Sequence, residues 1–355
     1  MEISQYGEFA LIRHLTENFP LRNASSVCGV GDDCAVINPL PEEGKTLVTT
    51  DLLLEGIHFD LTYCPLRHLG YKACVINFSD IYAMMGTPRQ ITVSVGVSKR
   101  FKVEDLEELY AGIRLACDTY GVDLVGGDTS ASLTGLTLSI TAIGVAQQPV
   151  MRSGAQPNDL VCVSGDLGAA YMGLQLLERE KTIFWQEYDD WRRTTNNGAD
   201  GSTAPVFQPK FEGREYLLER QLKPEARKDV VKMLHDAGIT PTSMMDVSDG
   251  LASEMLHICH DSHVGCRIYE ERLPIDYQTA VQAEEFNLNV TTVAMNGGED
   301  YELVFTVPLT QHDRIQQLSG VRLIGHITDE KLGAAMISRD GNSEITLRAQ
   351  GWKTE

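Results

Sequence analysis

The sequence predicts an α/β protein of mixed α/β and α+β character, and three observations carry that expectation. Short apolar runs such as TLVTTD (46–51), QITVSVGVS (90–98) and LVCVSG (160–165) alternate with longer helical stretches, as in proteins built from packed strand and helix layers. Glycine-containing acidic turns such as VGGDT and VSGDL close several of the runs. A polar connector, MRSGAQPNDL (151–160), divides the pattern. A chain of 355 residues suits two domains of ordinary size. The boundary is expected just before the connector, giving an N-terminal domain 1–148 and a C-terminal α/β domain 149–355.

Taken in order, residues 7–18 set Phe9, Leu11, Ile12 and Leu15 on one helical face. Strands are expected at 33–38, 46–51 and 90–98, with an Ala-, Leu-, Ile- and Met-rich helix at 66–85 before the last of these. A helix at 103–119 leads into the strand VDLVGG, and 136–146 reads as a long strand. The second half restarts with LVCVSG and a helix at 167–180. Residues 181–215 mix aromatics with a Gly/Asn/Ser/Thr-rich stretch and read as a partly flexible surface insertion between helices. Its aromatics alternatively cover a binding site or a subunit contact. A helix at 223–237 and the strand-turn-helix DVSDGLASEMLHICH follow.

Composition narrows the class. Fifty acidic against thirty basic residues give a net charge of −20, the opposite of a nucleic-acid footprint. A phosphorylated ligand stays compatible where metal ions neutralise local repulsion. The eight cysteines contain no CxxC pair and read as thiols of a reducing compartment. The N-terminal MEISQYGEFALIRHL does not resemble a signal peptide, and no apolar run is long enough to span a bilayer. A cytoplasmic protein without membrane or nucleic-acid partners is expected.

The stretch GVGDDCAVI (29–37) joins phosphate-loop glycines to two aspartates that would repel phosphate. A cation between carboxylates and phosphate resolves the contradiction. The same type of acidic turn recurs at Asp32, Asp51 in TTDLL, Asp80 in NFSDIYAM, Asp128 in VGGDTS, Asp246 and Asp249 in DVSDG, and Glu299-Asp300 in NGGEDYEL. Any one alone reads as a turn residue or helix cap. Together they place carboxylates where apolar strands end, the usual ligand edge of α/β sheets. Oxygen donors of this type suit Mg²⁺, and Thr49 and Thr50 add more beside Asp51. The histidines of HICHDSHVGC read as helix-end surface residues. No Walker A, protein-kinase set or GxSxG elbow is present.

Eight segments in order, GEFALIRHL, GVGDDCAVI, LVTTDLLLEGIHF, GYKACVINFSDIYAMMGTP, LVGGDTS, RSGAQPNDLVCVSGDLG, DVSDGL and NGGEDYELVF, resemble the thiamine-monophosphate kinases. That family shares its fold with aminoimidazole ribonucleotide synthetase and selenophosphate synthetase. The resemblance implies an N-terminal domain forming a β-barrel across a homodimer, with a cleft between domains. It implies transfer of the γ-phosphoryl group of ATP, a co-substrate, onto thiamine monophosphate by direct in-line displacement assisted by several Mg²⁺ ions. Asp32, Thr49, Thr50, Asp51, Asp80, Asp128, Asp246 and Asp249 are then the metal residues, with Asp51, Asp80, Asp128 and Asp246 central to catalysis. Gly127, Asp128, Arg152, Ser248 and Tyr110 are the implied nucleotide contacts, and His58, Glu299 and Trp352 the implied substrate contacts. An acceptor that is already an ionised phosphate needs no general base, which agrees with the lack of an obvious one. The rivals are a sister synthetase and a catalytically inactive nucleotide- and metal-binding regulator. The first lacks an opening nucleophile segment here, and the second is disfavoured because every expected acidic position is occupied.

Overall fold

A computed structural model describes residues 13–28, 36–37, 44–195 and 203–349. Of the helix expected at 7–18, residues 13–16 are helical, 17–18 form a turn, and 7–12 lie outside the described residues. A small sheet pairs β1 (Ser26–Cys28) with β2 (Val36–Ile37). Next come β3 (Lys45–Leu54), α1 (Leu66–Ala83), β4 (Thr87–Val97), α2 (Val103–Tyr120), β5 (Asp123–Ala131) and β6 (Thr137–Ala146). These strands form a four-stranded sheet in the order β3-β6-β4-β5. Its pairs are antiparallel except β4 with β5, which are parallel because α2 crosses between them.

Helices α1 and α2 cover one face of this sheet. Their contact is close because it is made through glycines. A methyl group at Gly70 would lie 2.1 Å from the Leu109 carbonyl oxygen, and one at Gly112 would lie 1.9 Å from that of Arg67. Helix α1 is buried around most of its circumference, including Phe78, Ile81 and Tyr82. Each such side chain contributes about 1.5–3 kcal/mol. A helix buried on all sides reads as apolar throughout, so a polar residue within it is conspicuous.

The second half contains β7 (Leu160–Ser164), α3 (Ala169–Thr195), α4 (Glu215–Leu222), α5 (Lys228–Asp236), β8 (Ser243–Asp246), α6 (Leu251–Ser262), β9 (Val264–Tyr269), α7 (Tyr277–Glu285), α8 (Val290–Asn296), β10 (Leu303–Val307), β11 (Val321–Asp329), β12 (Ala334–Ile337) and β13 (Glu344–Thr346). Its seven strands run β13-β12-β9-β11-β7-β10-β8. Alternation sends Val161, Val163 and Val304 into one core and Leu160, Cys162 and Phe305 into another. Both faces are therefore covered, which explains the unbroken apolar runs LVCVS and LVFTV.

Two expectations change. The helix expected to stop near 180 continues to Thr195, because 181–195 contains neither glycine nor proline and its aromatics fall at helical spacing. The helix expected at 223–237 begins only at Lys228, as α5, and a separate helix, α4, ends before it at Leu222; Pro224 stands between them, where its ring removes a donor and obstructs a preceding turn. The four-stranded sheet is open within this chain, with β3 and β5 at its edges. Among the described residues no helix is long and apolar enough to cross a membrane.

Candidate active site

Alternation along β3 turns Leu47, Thr49, Asp51 and Leu53 toward α1 and leaves Val48, Thr50 and Leu52 on the outer face. Asp80, in the last turn of α1, accepts a 2.6 Å hydrogen bond from the Thr49 hydroxyl. The preceding Ser79 donates at 2.6 Å to Asp246, the last residue of β8. One helix end thus joins the edge of the first sheet to the edge of the second. Burial, reinforced by Asp80, pushes the Asp51 carboxyl up to about 6. Burial and then Asp80 also raise Asp246, and burial raises Asp80 against the pull of Thr49 and Arg152. The phenol of Tyr301 is raised by burial and then by the charges of Glu299, Asp246, Asp51 and Asp80.

Two loops complete the wall. The Glu299 amide donates to the Ser248 carbonyl at 2.7 Å and the Tyr301 amide to the Val247 carbonyl at 2.9 Å, joining NGGEDYE to DVSDG. Glu299 and Tyr301 both hold positive φ, 58° and 52°. Such left-handed backbone in non-glycine residues is strained and concentrates at functional sites. Beneath them, Asp300 accepts from the amides of Gly168 and Ala170, and Glu302 meets Ser164, Arg220 and Arg227. Burial pushes Asp300 up to about 7. The Asp249 amide donates to Glu254 at 2.9 Å, and burial pushes that carboxyl up to about 7. Arg152 is half exposed, 3.9 Å from Asp261, and its charge acts on both Asp80 and Glu254.

The remaining sequence candidates are more dispersed. Thr50 faces away from the cleft, donating to the Ile140 carbonyl and accepting from Thr141. Asp128 pairs with Ser94 across from β4 and is exposed on that same outer face. It lies three strands from β3, roughly 14 Å at about 4.8 Å per strand. Gly127 packs against the β4 backbone, where an added methyl would come within 1.9 Å of the Val93 carbonyl oxygen. Tyr110 is buried in the first core, edge-on to Phe19. His58 is exposed in the turn after β3, its Nδ1 accepting from the Leu54 amide at 3.0 Å. Asp249 is exposed at the rim. Asp32 and Trp352 lie outside the described residues.

Among the described residues no three His, Cys, Asp or Glu side chains form a group placed to hold a metal ion unaided. The arrangement still fits magnesium. Its donors are oxygens only, its carboxyls are raised by burial and by one another, and Mg²⁺ commonly takes one or two carboxylates with water and substrate phosphate.

Sequence reasoning passed over Lys72, Gln221, Glu254 and Tyr301. Lys72 and Glu254 carried a readable signal, since a charged residue inside an apolar helical run is rarely buried without a partner. Lys72 lies 3.3 Å from Glu299 and donates to the Gln221 carbonyl at 2.9 Å.

The model of the AIR synthase related protein N-terminal domain matches residues 31–146. Thiamine-monophosphate kinase of Aquifex aeolicus (strain VF5) is 32% identical over 340 residues, covering 93% of this chain and 98% of that protein. The Bacillus subtilis (strain 168) thiamine-monophosphate kinase is 30% identical over 353 residues, covering 97% and 98%. The solved complex of AaThiL with AMPPCP and TMP superposes with a TM-score of 0.71 and 30% identity, covering 99% of this chain and 98% of that one. The domain match marks residues 31–146 as belonging to the AIR synthase-related class. Within that class, the chain belongs to the thiamine-monophosphate kinase family.

Proposed function

We propose that this protein transfers the γ-phosphoryl group of ATP directly to thiamine monophosphate, forming thiamine diphosphate and ADP. The observation that carries the reading is that hydrogen bonds join the Asp51 strand, through Thr49, to Asp80, join Ser79 to Asp246, and join the Glu299–Tyr301 loop to the residues just after Asp246. An oxygen of the acceptor phosphate bonds to the γ-phosphorus as the bond to the β–γ bridging oxygen breaks, and the electrons of that bond leave with ADP. The acceptor is already ionised, so no side chain has to remove a proton. Bound magnesium supplies the positive charge that lets two anionic phosphates approach in line.

Thr49, Asp51, Asp80 and Asp246 would hold magnesium, with Asp249 at the rim and Asp32 as the resemblance implies. Arg152 would take a nucleotide phosphate, near Ser248. Glu299 would receive the acceptor, with His58 and Trp352 as the resemblance implies. Asp128 and Thr50 do not face this cleft within one chain. A homodimer packed through the outer face of the four-stranded sheet would give them a place at or beside the subunit contact. Val48 and Leu52, 66% and 54% exposed on that face, favour such a contact. The same reading divides the chain into domains near residue 148 and places the protein in the cytoplasm.

The test is an acceptor panel with purified protein, ATP and Mg²⁺. ADP release should require thiamine monophosphate, at one thiamine diphosphate per ADP. Release driven instead by an amide ribonucleotide or by selenide would assign the protein to a sister activity. No turnover with any acceptor would favour the inactive regulator.

A further inference from the structure

Among the described residues, the side chains that hold the Glu299 carboxylate meet it at one oxygen. Lys72 Nζ lies 3.3 Å from Glu299 Oε2, and Gln221 Nε2 donates to the same oxygen at 2.8 Å. Lys72 also donates to the Gln221 carbonyl at 2.9 Å, closing a triangle of three side chains and one backbone carbonyl. Among the described residues, no hydrogen bond engages Oε1. Glu299 is one-third exposed whereas the Lys72 side chain is only 8% exposed. The lysine therefore sits beneath the carboxylate, on the side away from solvent.

Location sharpens the point. Lys72 belongs to α1, the helix that ends in Ser79 and Asp80, whereas Gln221 ends α4 and Glu299 lies in the strained loop before β10. A lysine buried in a helix is disfavoured unless its charge is compensated. Here the compensation is a carboxylate at the cleft wall.

We propose that Lys72 is a positioning residue for the acceptor: with Gln221 it occupies Glu299 Oε2 and so presents Oε1 to a hydrogen-bond donor of the substrate. A ring amino group, such as that of an aminopyrimidine, is the donor chemistry this oxygen would take. The inference rests on the reading of Glu299 as an acceptor contact. Lys72 touches no reacting atom, so its loss should weaken acceptor binding and leave nucleotide binding alone.

The test is a double-mutant cycle on KM and kcat, with thermal unfolding of every variant. Lys72→Met keeps the aliphatic stem and removes the charge, and Glu299→Gln removes the charge on the other side. Each single variant should raise KM for thiamine monophosphate about 10-fold or more while KM for ATP moves less than about twofold. The double variant should be no worse than the poorer single one, because both changes abolish the same interaction. Should Lys72→Met not fold, Lys72→Gln carries the same comparison. Additive effects, equal weakening of ATP, or an unchanged acceptor KM in either single variant would overturn the assignment. Wild-type protein that does not consume thiamine monophosphate would overturn the functional reading and this assignment with it.

Discussion

Asp51 shows how far a single residue carries the function. It stands on the inner face of β3 with its carboxyl pushed up to about 6 by burial and by Asp80. A group so placed is poorly accommodated as an anion until a cation arrives. Asp51→Asn should lower kcat by about 100-fold or more, since a direct ligand should matter at least as much as its outer-shell supports. The metal-free melting temperature should hold or rise, because one repelling charge has gone. Activity retained at limiting Mg²⁺ would remove Asp51 from the metal set. The pH dependence has a defined sign. Asp51 goes from its ordinary 3.8 to about 6, and Glu254 from 4.5 to about 7, so both bind protons more tightly folded than unfolded. Their contribution to stability is present below pH 4 and lost as pH rises from about 4 through 7. Thermal unfolding without metal should record that loss, and added Mg²⁺ should raise the melting temperature more at pH 8 than at pH 5. A Mg²⁺ shift independent of pH would contradict the account. The aspartates were legible in sequence because each closes an apolar run. The pairing of Lys72 with Glu299 was not, because it joins residues more than two hundred positions apart.

Among the elements, α3 departs most from expectation. Its extension carries Phe184, Trp185, Tyr188 and Trp191, which pack on one another, and Phe207 meets Phe184 with ring centroids 5.5 Å apart. Glycine- and asparagine-rich composition after 195 was readable. The helical run before it was obscured because its apolar face is made of aromatics interrupted by charged and polar residues. The base of the extension is tied to the turn following His58, through Lys181 to Asp60 at 2.8 Å and Tyr63 to Glu178 at 2.6 Å. Replacing residues 184–207 with a short Gly/Ser linker spans a small gap, given the Phe184–Phe207 contact, and leaves those ties intact. Turnover should stay within about threefold of wild type, since the ties between α3 and the turn following His58 lie outside the removed segment. A folded variant with most of its activity gone would make the extension part of the site. By contrast, α1, α2 and the strands around them matched the sequence closely, because their apolar periods are long and their ends are marked by Pro65, Gly86 and Gly121.

For the whole molecule, mixed α/β layering was legible in the alternation of runs, whereas strand order was not, since seven strands of the second sheet pair across distant positions. The placement of Asp128 away from Asp51 was equally hidden, because it depends on which strands lie between them. If the outer face of the first sheet joins two copies, sedimentation should give twice the chain mass, and a double Val48→Glu, Leu52→Glu variant should sediment as a monomer. A monomeric wild type would end the dimer reading. The central claim concerns where the phosphoryl group goes. Single-turnover reaction of excess enzyme with Mg²⁺, γ-labelled ATP and thiamine monophosphate tests it most directly. The account predicts label in thiamine diphosphate, one per ADP formed. Label appearing as inorganic phosphate, with thiamine monophosphate unchanged, would contradict it.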